Sequence, residues 1–159
     1  MSKELIRDKV AKLVKKFDTT DPVKLCMCLD IQCEFHDLGK DTMGFRTEIC
    51  RISYIALNSR NSNEDNFITI CHELGHHVCG HSTNTEFLKH SNLVYVRQGV
   101  EYEANTFMVE LLTYGVNAAE YMNEEQLLRD HNVPRWAERY VDWNYIKDNA
   151  DLSSFDSIY

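Results

Sequence analysis

Apolar residues in the first stretch of the chain recur at three- and four-residue steps: Leu5, Ile6, Val10, Leu13, Val14 and Phe17. That spacing gathers them on one stripe and predicts an amphipathic helix over 3–17. Thr20-Asp21-Pro22 places a capping side chain before a proline, the chemistry of a helix start. A short helix is expected from there to about Leu29. The pattern then shortens to strands at Ile31 to Leu38, Met43 to Cys50 and Ile52 to Leu57, with Leu38-Gly39-Lys40-Asp41 as turn chemistry. Ser62, followed by Asp65, signals the cap of a helix over about 63–80, whose apolar face is Phe67, Ile70, Cys71, Leu74 and Val78. Gly80 suits its end. An irregular stretch over about 82–98 follows, with a short strand expected at Leu93 to Val96. Then come a helix from about Gly99 to Tyr114 and short helices over about 117–122, 124–131 and 134–148. Asn123 caps the second of these and Pro134 opens the third.

Helices, then a strand cluster, then helices make an α+β order, with a short antiparallel or mixed sheet. The 159 residues fit one domain, 1–159. About 1–115 is expected to form the working core and about 116–159 a helical C-terminal extension.

Composition narrows the classes. Apolar content of 43% and charged content of 26% suit a folded, water-facing chain. No run approaches the roughly 18 apolar residues of a membrane span, and Met1 to Lys9 mixes charges with apolar residues unlike a signal peptide. The expectation is a cytoplasmic protein with no membrane partner. A net charge of −8 repels phosphates, so direct nucleic acid binding is not expected. The six cysteines, with Cys26-Met27-Cys28 off the C-x-x-C spacing, read as reduced, mostly buried thiols.

The chemistry is concentrated in His72-Glu73-Leu74-Gly75-His76. Histidines four apart on a helix lie on one face, one turn from each other, and can share a metal ion. Glu73 projects beside such a site, outside the ligand set, where it can act as a general base toward an activated water. A catalytic zinc needs a third protein ligand and an open position. His81 misses the metzincin spacing, which would put Gly and His at positions now held by Cys79 and Ser82. A helix-end histidine is the simpler reading of His81. His77 points away from the pair. Glu101 and Glu103, 25 and 27 residues after His76, lie on the next long helix. At about 100° per residue, Glu101 borders the apolar face of that helix, roughly 60° from its centre, and Glu103 lies roughly 100° away on the other side. Glu101 is therefore favoured as the third ligand, with Glu103 the fallback. Asn105, one turn after Glu101, can hold the free ring nitrogen of a liganding histidine.

These two segments, Asn66 to His76 and Glu101 to Leu112, resemble the signatures of the ImmA/IrrE family of metallopeptidases. There an F-T-x-A-H-E-L-G-H helix is followed by an E-x-x-A-N-x-F-A-x-x-L-L helix. The resemblance extends loosely over most of the chain. It implies a small zincin-like fold of the gluzincin kind, with Zn2+ on His72, His76 and Glu101, Glu73 as the base and Asn105 in support. It also implies a protein substrate, a helix-turn-helix transcriptional repressor of a phage or mobile element. Ile68, Cys71 and Met108 depart from the signatures, as does Thr113-Tyr114-Gly115 where a proline usually stands. None of these replaces a ligand or the base. A rival reading is a zinc-stabilised anti-repressor that binds stoichiometrically without cutting. A second rival is a zinc amidase for a small substrate. Tyr95, Arg97 and His81 are the candidates for steadying an oxyanion. Ile52 to Leu57 is expected to offer an edge to an extended substrate.

Overall fold

The first three helices each start on a side-chain cap. Ser2 Oγ accepts from the Leu5 amide at the head of α1 (Lys3–Phe17). Asp21 accepts from the Val23 and Lys24 amides at α2 (Pro22–Cys28), where proline takes the first helical position. Ser62 accepts from the Asp65 amide at α3 (Asn63–Val78), whose first turn also carries Glu64 and Asp65. The structure, a computed structural model, describes residues 1–156, with side chains described to residue 149.

Between α2 and α3 run β1 (Ile31–His36), β2 (Thr42–Ile49) and β3 (Ile52–Asn58). A two-residue β4 (Leu88–Lys89) completes a mixed sheet in the order β1-β3-β2-β4. β1 runs parallel to β3, with Cys33 opposite Ile55, and β2 runs antiparallel to it, with Arg46 opposite Ile55. Two expectations need correcting here. The strand at Ile52 to Leu57 is no edge, because β1 and β2 cover both its sides. No strand forms at Leu93 to Val96. There the Val96 amide is satisfied by the Tyr140 hydroxyl at 2.9 Å instead of a neighbouring strand.

Past β4 the chain enters α4 (Val100–Leu112), a 3₁₀ turn at Ala118–Glu120, α5 (Glu124–Asp130), a 3₁₀ helix at Arg135–Tyr140 and α6 (Trp143–Asp156). The helix expected over 134–148 is thus split. Asp142 caps a new helix by accepting from the Tyr145 amide at 3.2 Å. The same carboxylate accepts from Arg7, which also grips Glu110 through two nitrogens at 2.8 and 2.9 Å. That cluster joins α1, α4 and the start of α6.

α3 lies between the sheet and α4 and is buried all round from Ile68 to His76. Its histidine face is therefore packed against α4. Two glycines make this close packing attainable. A Cβ on Gly44 of β2 would stand 2.6 Å from Thr69 Cγ2 of α3 and 2.5 Å from the Ala56 carbonyl oxygen. One on Gly75 would stand 2.8 Å from the Ala104 carbonyl oxygen of α4 and 3.1 Å from its Cα. Gly75→Ala offers ~1 kcal/mol of helix propensity. It also drives a methyl into a backbone that yields only if the helices part, which costs about 1–3 kcal/mol. A net loss of stability is expected in urea denaturation, along with weaker metal binding, because Glu101 moves with α4.

Candidate metal centre

His72 and His76 occupy the α4-facing side of α3, one turn apart, both with no exposed surface. Their Nε2 atoms are 3.1 Å apart. From the first turn of α4, Glu101 brings Oε2 to 3.3 Å from His72 Nε2 and Oε1 to 3.4 Å from His76 Nε2. Donors at ~2.0–2.1 Å from one tetrahedral ion stand about 3.3 Å from each other. The triangle therefore has the size that a zinc-like ion requires. The Glu101 side chain is 29% exposed and both imidazoles are sealed, so the triangle meets solvent on the Glu101 side.

The protons fit a cation as well. The Asn105 amide nitrogen donates to the Tyr140 hydroxyl at 3.1 Å, which turns its oxygen toward His72 Nδ1 at 2.8 Å. That oxygen only accepts, so His72 carries its proton on Nδ1 and presents a bare Nε2 lone pair to the triangle. Glu101 Oε1 and both Glu73 oxygens are buried without a hydrogen-bond partner among the described residues. Bare acceptors gathered without a donor are unfavourable unless a cation or water lies among them.

The acid–base behaviour follows from burial and neighbouring charge. Burial pushes His76 down to about 4, against the pull of Glu101, and so keeps it in the neutral form that a metal needs. Burial also works against charge on His72, but Glu101 and Glu73 outweigh it and raise its pKa. The spot thus favours positive charge. Glu101 resists the effect of its own burial and sits at about 2, held down by the His72 and His76 rings that face it. Glu73 is pushed up to about 7 by burial, partly offset by His72. A carboxylate there can both take and return a proton near neutral pH.

Of the other residues singled out in sequence, Glu103 does not join His72 and His76. It faces His81, with Oε2 2.7 Å from His81 Nε2. His81 in turn lies against His76, with the two Nδ1 atoms 2.9 Å apart. His77 is half-buried and makes no part of the triangle. Tyr95 packs its ring on Tyr140 and under the Arg139 guanidinium. Two residues near the site escaped the sequence reading. Tyr140 holds Asn105 from 35 positions away, beyond any spacing rule. Arg46 is 6% exposed, donates to the His81 carbonyl at 2.5 Å and has no partner for its Nε among the described residues. One signal for Arg46 exists: it lies in phase with Gly44 on β2, on the buried side of the strand.

Fold and donors together define the class, a mixed α+β protein with a place for one metal ion between two helices. The family follows from comparison. Residues 26–145 match the model of the IrrE N-terminal-like domain, a metallopeptidase family, and the chain belongs to that family. It is also 33% identical over 151 residues to "Uncharacterized immunity region protein 2" of Bacillus phage phi105, covering 95% of this chain and 94% of the relative. No helix among the described residues is long and apolar enough to cross a membrane.

Proposed function

We propose that this chain is a zinc-dependent metallopeptidase that cleaves a regulatory protein at a specific site, the substrate being a helix-turn-helix repressor of a phage or mobile element. The observation that carries the reading is the meeting of His72, His76 and Glu101 beside a buried Glu73, in a chain of a metallopeptidase family. The likeness to a phage immunity-region protein supports the choice of substrate. Two imidazole nitrogens and one carboxylate are a zinc donor set that leaves a position open.

When bound there, zinc supplies a Lewis acid and acidifies a water. Glu73 takes the proton of the attacking water and passes it to the nitrogen of the leaving amine, so the peptide bond is exchanged for a carboxylic acid and an amine. Asn105 holds His72 in the tautomer that leaves Nε2 free. The outer edge of β2 beyond Gly44 suits an extended substrate, because β4 pairs only with Thr42 and Gly44. Arg46 of that stretch touches the His81 carbonyl, which places this edge next to the site.

The test uses a purified helix-turn-helix repressor from a phage immunity region. Fragments are expected on a gel with zinc-loaded protein, none after chelation, and fragments again when zinc is restored. Cleavage that survives thorough chelation would refute a metal-dependent enzyme.

A further inference from the structure

Resting on the reading of His72, His76 and Glu101 as zinc ligands, we propose that His81 and Glu103 form a positioning relay that fixes the tautomer and heading of His76. The direction of each proton follows from the far end. Glu103 presents a carboxylate oxygen 2.7 Å from His81 Nε2, so His81 carries its proton on Nε2 and donates it. His81 Nδ1 is then the nitrogen left to accept, and it lies 2.9 Å from His76 Nδ1, which donates to it. His76 is left with its lone pair on Nε2, the atom that faces His72 Nε2 and Glu101. One carboxylate thus sets two ring tautomers in series.

The backbone holds the middle of the relay in place. The His81 amide donates to the His76 carbonyl at 3.0 Å, closing the turn after α3. Gly80, at a φ of +77°, lets the chain turn there. From the sheet side, Arg46 donates to the His81 carbonyl at 2.5 Å. The His81 side chain is only 6% exposed. Glu103 leaves the same helical turn as Glu101, so α4 delivers the third donor of the triangle and the end of the relay together. The two imidazoles are supported differently: His72 leans on the neutral amide of Asn105, His76 on an imidazole backed by a carboxylate. Carboxylate backing raises the basicity of a liganding histidine and holds its ring.

A competing use of the same atoms exists. Donor atoms of Cys79, His81 and Glu103 lie within 4.8 Å of one another and are a candidate metal group in their own right. An ion there would compete with the relay for the donor atoms of His81 and Glu103. The observed contact at 2.7 Å favours the relay.

The experiment measures zinc affinity by competition with a chromophoric chelator, zinc stoichiometry, and the visible spectrum of the cobalt(II)-loaded protein. It compares wild type with His81→Phe, His81→Gln, Glu103→Leu, Glu103→Gln and Cys79→Ser. His81→Phe and Glu103→Leu are expected to bind one zinc about 10–100-fold more weakly, with an altered cobalt spectrum. His81→Gln keeps an oxygen that accepts from His76 Nδ1–H, and Glu103→Gln keeps one that accepts from His81. Both should recover much of the affinity, and Cys79→Ser should match wild type. A contact that merely ties α3 to α4 would lower the melting temperature of the metal-free variants and leave zinc affinity and cobalt spectrum unchanged, which overturns the relay. So does a second zinc per chain that is lost in Cys79→Ser. Failure of the underlying reading looks different: wild type would bind no zinc, or His72→Ala would bind it as wild type does, and site and relay would fall together.

Discussion

Replacing Glu73 by glutamine is expected to lower turnover by about 10²–10⁴-fold while zinc binding stays within a few-fold of wild type. Glu73 is fully buried, stands outside the donor triangle, and has no hydrogen-bond partner on either oxygen among the described residues. Glutamine fills the same space and cannot take a proton. The same substitution should stabilise the metal-free protein, and the sign depends on pH. Burial places the folded pKa of Glu73 at about 7, above its ordinary 4.5. Between those values the folded state keeps a proton that the unfolded chain has released. Stability from this group therefore falls as pH rises from about 4.5 to about 7 and stays low above it. Metal-free Glu73→Gln should exceed wild type above pH 7 by on the order of 1–3 kcal/mol and match it below about pH 4. Opposite effects on activity and stability mark a group kept for chemistry. Wild-type turnover in this variant would remove Glu73 from the mechanism.

His76→Ala carries the second large effect. Zinc at a thousand times its dissociation constant stabilises a folded chain by about 4 kcal/mol when it binds only the native state. Wild type should show that gain as a rise in melting temperature on adding zinc and a fall on chelation. The alanine variant loses one donor of the triangle and the ring at the end of the His81 contact. It should show no zinc-dependent shift and no cleavage. The metal-free comparison separates this from simple loss of packing, since a fully buried imidazole leaves a cavity whether or not zinc is present. A zinc-dependent shift of wild-type size in His76→Ala would place the ion elsewhere.

What the sequence reveals and what it hides divide along the range of the interactions. α1, α3 and α4 are legible because their apolar stripes, and the cap at Ser62, are local. The meeting of His72 and His76 is legible because a four-residue step on a helix fixes it. Glu101 is distinguishable from Glu103 because only one of them borders the apolar face of α4, and the structure turns that one to the histidines. The turn between β2 and β3 is hidden: Cys50 and Arg51 both adopt positive φ, 51° and 67°, without the glycine or asparagine that usually marks it. Strand order is hidden as well. Nothing local says that β1 crosses over to pair parallel with β3, and that pairing removes the edge expected at Ile52 to Leu57. Glu103 reads as a solvent-side carboxylate on its own helix, and only the turn at Gly80 brings His81 across to it. Tyr140 belongs to the same group, a C-terminal side chain that reaches back to Asn105 and Val96.

Enzyme and stoichiometric anti-repressor differ most directly in what becomes of the repressor. Zinc-loaded wild-type protein is mixed with a large excess of a purified helix-turn-helix repressor from a phage immunity region, and the repressor is followed by intact-mass spectrometry. Two fragments are expected, with masses that sum to the parent plus one water, from many repressor molecules per chain. Repressor that stays at its full mass while forming a one-to-one complex with the zinc-loaded protein would contradict proteolysis.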